Sequence, residues 1–213
     1  MTEPLDPALL VEFTKRAKKQ LRLRAKETRR CYPRAALARR SEALVARLAQ
    51  LPELEGARAV ALFFPLLDRG EVDLRAFDAL LRARDITVYY PFMMPKPGGG
   101  YSTGFRPTSD LRELEERGRG FLEPPPSAPV AAPGDVDLVL VPALAADGRG
   151  HRLGYGAGFY DATLGDVAPP ARTAIVVYDF QLLAEIPNEA HDVPCDLVVT
   201  DERVLRPGAH EHR

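Results

Sequence analysis

Three glycines at alternate positions, Gly154, Gly156 and Gly158, form the pattern in this chain that most clearly predicts chemistry. Glycine allows positive φ angles and a close approach of backbone amides to a ligand, and successive N–H groups at a helix start form an anion site. Arg149 and Arg152 place positive charge beside these glycines. The pattern therefore predicts a phosphate-binding turn. Its spacing matches neither GxGxxG nor GxxxxGK[ST], so a tight turn without a ligand is the alternative that spacing alone leaves open.

A predicted strand and a predicted helix flank this turn. The apolar run from Leu138 to Val141 ends at Pro142, and Ala162 to Leu164 can open a helix. Similar patterns predict strands at residues 59–64, 86–90, 138–141, 174–178 and 197–200, and helices at about 6–33, 35–49 and 72–84. The first helix, capped by Asp6, carries an apolar stripe of Leu9, Phe13, Ala17 and Leu21, and the second points Leu37, Leu44 and Leu48 inward.

The order of these elements predicts one α/β domain over residues 1–213, built on a doubly wound, mostly parallel sheet with helices on both faces. In such sheets ligands bind beyond the carboxyl ends of the strands. We therefore expect residues 65–71, 91–96 and 142–161 to converge on one binding site.

Two segments, 93–104 and 122–134, are rich in proline and glycine. We expect them to be irregular surface excursions from the domain. An edge hairpin near residues 101–106 and a short helix at 109–117 are predicted beside them.

Composition narrows the class of protein. The chain has 213 residues, a hydrophobic content of 46% and a formal net charge of -1, which suits an ordinary soluble protein and not a general nucleic-acid binder. The first residues do not resemble a secretory signal, and no apolar run is long enough to span a bilayer, so we expect a cytoplasmic protein. Cys31 and Cys195 fit neither a disulfide framework nor a zinc site, so we expect reduced thiols.

The first helix is locally basic, because the interval 15–40 contains one acidic residue, Glu27, among many Lys and Arg residues. Lys18 and Arg22 are four residues apart and share one helix face, whereas Lys19 points elsewhere. A basic helix is usually solvated, and that is the alternative to a binding function.

Residues Asp147 to Asp161, DGRGHRLGYGAGFYD, closely resemble the signature of the 5-formyltetrahydrofolate cyclo-ligase family, roughly D-x-x-G-x-R-L-G-x-G-x-G-Y-Y-D. Lys18–Arg22 is similar to the family's K-x-x-L-R pattern, and residues 187–196 are similar to its P-x-x-x-H-D-x-P-x-D segment. The resemblance spans most of the chain. It implies ATP-dependent cyclisation of 5-formyltetrahydrofolate to 5,10-methenyltetrahydrofolate, with release of ADP and phosphate.

The resemblance also implies roles for individual residues. Asp161 and Asp192 would attend Mg²⁺, and Arg152 would act catalytically on the transferring phosphoryl group; Glu71 would bind the folate. The implied folate-binding residues are Phe64, Glu71 and Tyr160. The implied nucleotide-binding residues are Lys18, Arg22, Arg149, Arg152, Gly154, Tyr155, Gly156, Ala157, Gly158, Phe159 and Tyr160. The alternative for the three acidic residues is a plain turn or helix-start carboxylate, and His191 is expected to be structural.

The chain departs from the family pattern at Leu74, Phe92, Ala146, Ala157 and Phe159, which leaves its fine substrate preference open. A nucleic-acid-binding module using the basic helices is one alternative function. A sugar-phosphate isomerase or an acyl-transfer enzyme is another, but the chain shows no arrangement of a nucleophile and its base that either would need. The expected partners are ATP and a reduced folate, without a membrane or nucleic acid, and we expect a monomer.

Overall fold

The fold is organised by one seven-stranded sheet. The computed structural model describes residues 7–118, 120–156, 158–189 and 192–208. Its strands are β1 (Ala59–Ala61), β2 (Thr87–Pro95), β3 (Tyr101–Thr108), β4 (Glu115–Glu116), β5 (Leu122–Glu123), β6 (Leu138–Pro142), β7 (Ala145–Asp147), β8 (Arg152–Leu153), β9 (Arg172–Val176), β10 (Leu182–Leu183), β11 (Leu197–Val199) and β12 (Val204–Leu205). Its α-helices are α1 (Pro7–Cys31), α2 (Arg34–Leu48), α3 (Arg75–Ala83) and α4 (Phe159–Val167).

The strand order is that of a doubly wound sheet. The large sheet runs β12-β11-β9-β6-β1-β2-β3. Parallel pairing joins the inner strands from β11 to β2, and antiparallel pairing adds β12 and β3 at the two edges. From β1 the chain adds β2 and β3 on one side, whereas β6, β9, β11 and β12 lie on the other side. The direction of winding therefore reverses between β1 and β6.

Helices cover both faces of this sheet, because successive residues of a strand point to opposite sides. Leu138 and Leu140 of β6 pack in a core with residues of α2 and α3, whereas Val139 and Val141 pack with Leu164 of α4. The predicted fold class is confirmed. The inward residues predicted for the second helix are buried, namely Leu37, Leu44 and Leu48.

The hairpin of β2 and β3 corrects the prediction of an irregular segment at 93–104. Strand β2 continues to Pro95 and pairs with β3 along its length, so the predicted edge hairpin is present but longer. Proline is tolerated in β2 because β1 pairs with β2 only as far as Tyr89, so beyond that point β1 does not require a backbone N–H from β2. The predicted helix at 109–117 is wrong: a single 3₁₀ turn at Leu111–Glu113 is followed by β4, which pairs with β5.

Helix α1 packs through its C-terminal half. Leu21 and Ala25 contact a cluster of apolar residues from β7, β8 and their neighbours, whereas Leu9 and Phe13 of the predicted apolar stripe are 50% and 59% exposed. Strands β7, β8 and β10 form a small separate sheet beside this contact. Asp6, the predicted cap, lies outside the described residues. None of the helices within the described ranges is both long and apolar enough to cross a membrane.

Candidate active site

A cavity of about 400 Å³ opens beyond the carboxyl ends of β1 and β6, where the direction of winding reverses. Phe63 and Phe64 follow β1, Pro91 lies in β2 and Pro142 ends β6, and all four line the cavity. Doubly wound sheets bind ligands at this place, because the loops of strands that wind in opposite directions separate here.

The connection from β7 to β8 leads the chain into the glycine turn. The fully buried carboxylate of Asp147 accepts the backbone N–H groups of Arg149 at 2.9 Å, His151 at 3.0 Å and Ile186 at 2.9 Å. These bonds hold the antiparallel turn, and β8 then places Arg152 in the cavity wall.

The glycine turn has the features of an anion site. Gly156 has φ 100° and Gly158 has φ 69°, a region that other residues rarely adopt, and α4 begins at Phe159 immediately behind them. Arg22 of α1 lies against the turn, because its Nε donates to the carbonyl oxygen of Gly154 at 3.0 Å. Backbone amides at a helix start and a neighbouring guanidinium are suited to a phosphate group.

Lys18 lies one helical turn before Arg22 and is 7% exposed. Its ammonium donates to the carboxylates of Glu189 at 2.9 Å and Asp192 at 2.6 Å. Burial lowers the pKa of Lys18, but the hydrogen bonds and charges of Asp192 and Glu189 outweigh it and leave the pKa raised. Lys18 therefore stays charged, and it joins α1 to the segment that follows Pro187.

Arg152 is a largely enclosed cation of the cavity wall, with a side chain that is 6% exposed. One terminal nitrogen donates to the carbonyl oxygen of Val193 at 2.7 Å, and the other pairs with the Asp161 carboxylate in the first turn of α4. The guanidinium thus connects β8, α4 and the segment before β11. It presents a fixed positive charge toward the cavity.

Glu71 is a buried carboxylate in the same cavity, 7% exposed. It accepts the hydroxyl proton of Tyr155 and the backbone N–H of Leu66, the latter at 2.9 Å. Burial raises the pKa of Glu71, while these two hydrogen bonds and the charges of Arg29 and Arg69 oppose the rise. The carboxylate can accept further hydrogen bonds from a ligand, since each of its oxygens has two acceptor positions.

Aromatic rings line the cavity beside Glu71. Phe159 packs edge-on against Phe121 at 6.3 Å and against Tyr160 at 4.9 Å between ring centroids. The Tyr160 hydroxyl is buried and has no hydrogen-bond partner among the described residues, and burial raises its pKa. A buried hydroxyl without a partner is costly, so a polar group of a bound ligand would stabilise it.

The carboxylates expected at Mg²⁺, Asp161 and Asp192, both line the cavity, but each pairs with a cation of the protein. The part of the chain that the structure describes contains no group of three or more His, Cys, Asp or Glu side chains that could hold a metal by themselves. Mg²⁺ commonly uses one or two carboxylates together with phosphates and water. The oxygen donors present therefore fit a metal that arrives with a nucleotide, and not a metal held by protein ligands alone.

The structure brings most of the predicted site residues together. Those that line the cavity are Lys18, Arg22, Phe64, Glu71, Arg152, Gly154, Tyr155, Gly156, Gly158, Phe159, Tyr160, Asp161 and Asp192. Arg149 is not among them: its side chain is 68% exposed and pairs with Glu185 at 3.0 Å, because the turn around Asp147 directs it outward. Ala157 and His191 lie outside the described residues.

Sequence reasoning missed several residues of this site. Glu189 shares Lys18 with Asp192, Arg69 and Phe121 line the cavity, and Arg29 lies behind Tyr155. Glu189 lies within residues 187–196, the segment that is similar to a family motif, so the sequence contained a signal that could have identified it. The others are brought to the site by tertiary packing alone.

Comparisons with known proteins agree on one family. The sequence model of the 5-formyltetrahydrofolate cyclo-ligase family matches residues 14–201. A 5-formyltetrahydrofolate cyclo-ligase of Mycolicibacterium smegmatis is 37% identical over 199 residues, which cover 88% of this chain and 95% of that protein. The protein of the same description from Escherichia coli K12 is 29% identical over 161 residues, 74% of this chain and 86% of that protein.

Two solved structures resemble the fold. The NMR structure of Aquifex aeolicus 5,10-methenyltetrahydrofolate synthetase has a TM-score of 0.75 at 30% identity and covers 92% of this chain and 99% of that one. A 5,10-methenyltetrahydrofolate synthetase from Mycoplasma pneumoniae has a TM-score of 0.68 at 21% identity, a likeness that concerns the fold alone, and covers 87% and 99%.

Proposed function

The chain belongs to the 5-formyltetrahydrofolate cyclo-ligase family and is an enzyme of that activity, and we propose that it performs the ATP-dependent ring closure in the cavity between β1 and β6. One observation carries this proposal. A single cavity contains both an anion site, made by the glycine turn with Lys18 and Arg22, and the buried carboxylate of Glu71. A phosphate donor and a substrate with hydrogen-bond donors can therefore meet there.

We assign the ATP phosphates to the glycine turn. Arg22 uses only its Nε for the bond to Gly154 among the described residues, so its terminal N–H groups are available for phosphate oxygens. Lys18 has three donors and uses two of them on described residues, Glu189 and Asp192, so the third can bind a phosphate oxygen. These contacts neutralise charge that glycine amides alone would hold weakly.

We assign the pterin ring of the folate to Glu71. A pterin presents paired N–H donors on its amino-pyrimidine edge, and a carboxylate accepts such a pair. Phe64 provides apolar contact in the same cavity, and the Tyr160 hydroxyl, which has no hydrogen-bond partner in the described part of the chain, offers a polar contact. Substrate binding at this end would leave the phosphate-binding turn free for ATP.

Asp161 and Asp192 would hold Mg²⁺ together with the phosphates, and the metal would supply charge neutralisation of the polyphosphate. In that state Arg152 and Lys18 would share these carboxylates with the ion, because both aspartates already pair with them. The negative charge of the phosphates would then be balanced by the cations of the protein together with the metal ion.

The reaction needs no protein nucleophile. The formyl oxygen attacks the γ-phosphorus and ADP leaves; N10 of the folate then attacks the formyl carbon, loses its proton and expels phosphate as the ring closes. Arg152, Lys18 and Arg22 stabilise the charge of the transferring phosphoryl group, and the cavity positions the two substrates. Arg152 contributes a positive charge to this scheme, because a guanidinium stays protonated and its hydrogen bonds to Asp161 and to the Val193 carbonyl oxygen orient it.

We also propose that the enzyme is a cytoplasmic monomer with one domain. Both cysteines are free, which suits a reducing compartment, and one large sheet is shared by the two main cores. The nucleic-acid alternative is not favoured, since Lys18, Arg22 and Arg29 of the basic helix contact the cavity wall instead of solvent.

An absorbance assay tests the function. Purified protein is incubated with 5-formyltetrahydrofolate, and 5,10-methenyltetrahydrofolate is followed with ATP, without ATP, and with ATP plus a chelator of Mg²⁺. Product formation only with ATP and the metal is expected, with one ADP per product. Absence of product under all three conditions from folded protein would refute the proposal.

A further inference from the structure

Arg29 of α1 is a buried cation that no sequence motif marks. It is 3% exposed, and its terminal nitrogen donates to the Tyr155 hydroxyl at 2.5 Å. Among the residues that the structure describes, its Nε has no hydrogen-bond partner, and no carboxylate lies within ion-pair distance of the guanidinium. Burying a guanidinium in this way is costly, so its position calls for a role beyond packing.

Tyr155 connects Arg29 to Glu71. A guanidinium N–H can only donate, so the tyrosine oxygen accepts from Arg29, and the hydroxyl proton is left to donate to the Glu71 carboxylate. An ionised carboxylate can only accept, so Glu71 sets the direction of the second hydrogen bond, and Arg29, by donating to the tyrosine oxygen, holds that hydroxyl in place beside Glu71. Tyr155 itself stands between Gly154 and Gly156, so its side chain reaches toward Glu71 from the glycine turn.

The Glu71 carboxylate is held on two sides. Tyr155 donates to one oxygen and the Leu66 N–H donates to the other. Without the tyrosine bond the carboxylate could rotate about its last torsion, which is broad for glutamate. The titratable and charged groups that face this carboxylate are Arg29 of α1, Arg69, Tyr155 of the glycine turn and Tyr160 of α4.

We propose that Arg29 is a positioning residue that acts through Tyr155: it holds the tyrosine hydroxyl beside Glu71 and so keeps the Glu71 carboxylate in the orientation that receives the reduced folate. This inference rests on the proposed role of Glu71 in folate binding. Because Tyr155 belongs to the glycine turn, the Arg29–Tyr155–Glu71 relay also links the nucleotide turn to the folate carboxylate.

The test compares Tyr155→Phe, Arg29→Met and their combination with the control Arg30→Met, a neighbouring arginine that is exposed on the same helix. Each relay variant is expected to raise the KM for 5-formyltetrahydrofolate about tenfold, the effect of one hydrogen bond to a charged group, and to change the KM for ATP less than about twofold. The combined variant should resemble the single variants, because both remove the same interaction. Arg30→Met should change neither constant.

The pH profile separates positioning from packing. The bond from Tyr155 opposes the rise in the pKa of Glu71 that burial causes, so Tyr155→Phe should move the acid limb of kcat/KM for the folate to higher pH. A packing role would lower the melting temperature and leave this limb in place. Tyr155→Phe keeps the shape of the ring, so it tests the bond to Glu71 even if Arg29→Met does not fold. A folded Arg29→Met or Arg29→Lys that leaves the folate KM unchanged while Tyr155→Phe raises it would overturn the role of Arg29.

Kinetics of Glu71→Gln, measured under the same conditions, distinguish failure of the Arg29–Tyr155–Glu71 relay from failure of the proposed folate role of Glu71. If Glu71→Gln raises the folate KM but Tyr155→Phe changes neither that constant nor the acid limb, the relay is overturned and the role of Glu71 stands. If Glu71→Gln itself leaves the folate KM unchanged in an active enzyme, both are overturned. In a Glu71→Gln background, Tyr155→Phe should have no further effect on the folate KM.

Discussion

Replacing Glu71 with glutamine should weaken folate binding selectively. Glutamine keeps the shape of the side chain but has one acceptor oxygen and one donor nitrogen where glutamate has two acceptors. At a position that is 7% exposed, one pterin N–H would then face another N–H with little water between them. A mispaired buried group costs on the order of 1–3 kcal/mol, so the KM for the folate should rise roughly ten- to a hundred-fold.

The same substitution should not reduce stability by much. Burial raises the pKa of Glu71 above its usual 4.5, so folding favours the neutral form. An acid whose pKa is raised by folding stabilises the protein fully at a pH below its pKa in the unfolded chain, and this stabilisation is lost as the pH rises through its pKa in the folded protein. At neutral pH the charged Glu71 carboxylate therefore carries a cost in stability that glutamine removes. This gain offsets a loss of about 1 kcal/mol for the altered bond to Tyr155, so the melting temperature should stay within about 4 °C of wild type.

Steady-state kinetics with each substrate and thermal unfolding of the same preparation test this prediction. We expect a raised folate KM, an ATP KM within about twofold of wild type and a retained melting temperature. A clearly lowered melting temperature with both constants intact would refute the reasoning. Glu71 would then serve only the local backbone near α3.

Two further predictions concern the charged residues of the cavity. Asp161→Asn should raise the Mg²⁺ concentration needed for half-maximal turnover about tenfold. It should also lower the melting temperature, because Arg152 loses its carboxylate partner. The exposed Asp166→Asn in the same helix is the control, and an unchanged Mg²⁺ requirement of folded Asp161→Asn would refute the metal role. Lys18→Met should lower the free energy of unfolding by on the order of 2 kcal/mol at pH 8. The pKa of Lys18 is raised above its usual 10.5, because the effect of burial, which lowers it, is outweighed by the pairs with Asp192 and Glu189. The stabilisation from these pairs is therefore complete below pH 10.5 and decreases above it, so the deficit of the variant should shrink only there. Urea unfolding of both proteins at pH 8 and pH 11 measures it, and an equal deficit at the two pH values would contradict the ion-pair explanation.

The parts of the site that could be predicted from sequence are those set by local geometry. Lys18 and Arg22 share a helix face because of the helical repeat, and both reach the cavity. Gly156 and Gly158 adopt positive φ directly before a helix, as the glycine spacing indicated. The alternating faces of β6 likewise follow from the strand repeat.

The parts that could not be predicted depend on tertiary context. The prolines of β2 are compatible with a strand only because β1 is short and stops pairing at Tyr89, which no local pattern reveals. Arg149 stands close to the glycines in sequence, but the β7–β8 turn directs it to Glu185. Glu189 and Arg29 reach the site through contacts with residues more than a hundred positions away.

The roles of the two halves of the cavity are tested most directly by measuring both Michaelis constants for Arg22→Ala and Glu71→Gln side by side, with the exposed Lys15→Ala and Lys19→Ala as controls. Each variant should affect one substrate. Arg22→Ala should raise the KM for ATP about tenfold and leave the KM for the folate unchanged, whereas Glu71→Gln should raise the KM for the folate and leave the KM for ATP unchanged. The two controls should change neither KM. Equal effects of Arg22→Ala and Glu71→Gln on both substrates, or an effect of Lys15→Ala as large as that of Arg22→Ala, would contradict the assignment of nucleotide and folate to separate ends of one cavity.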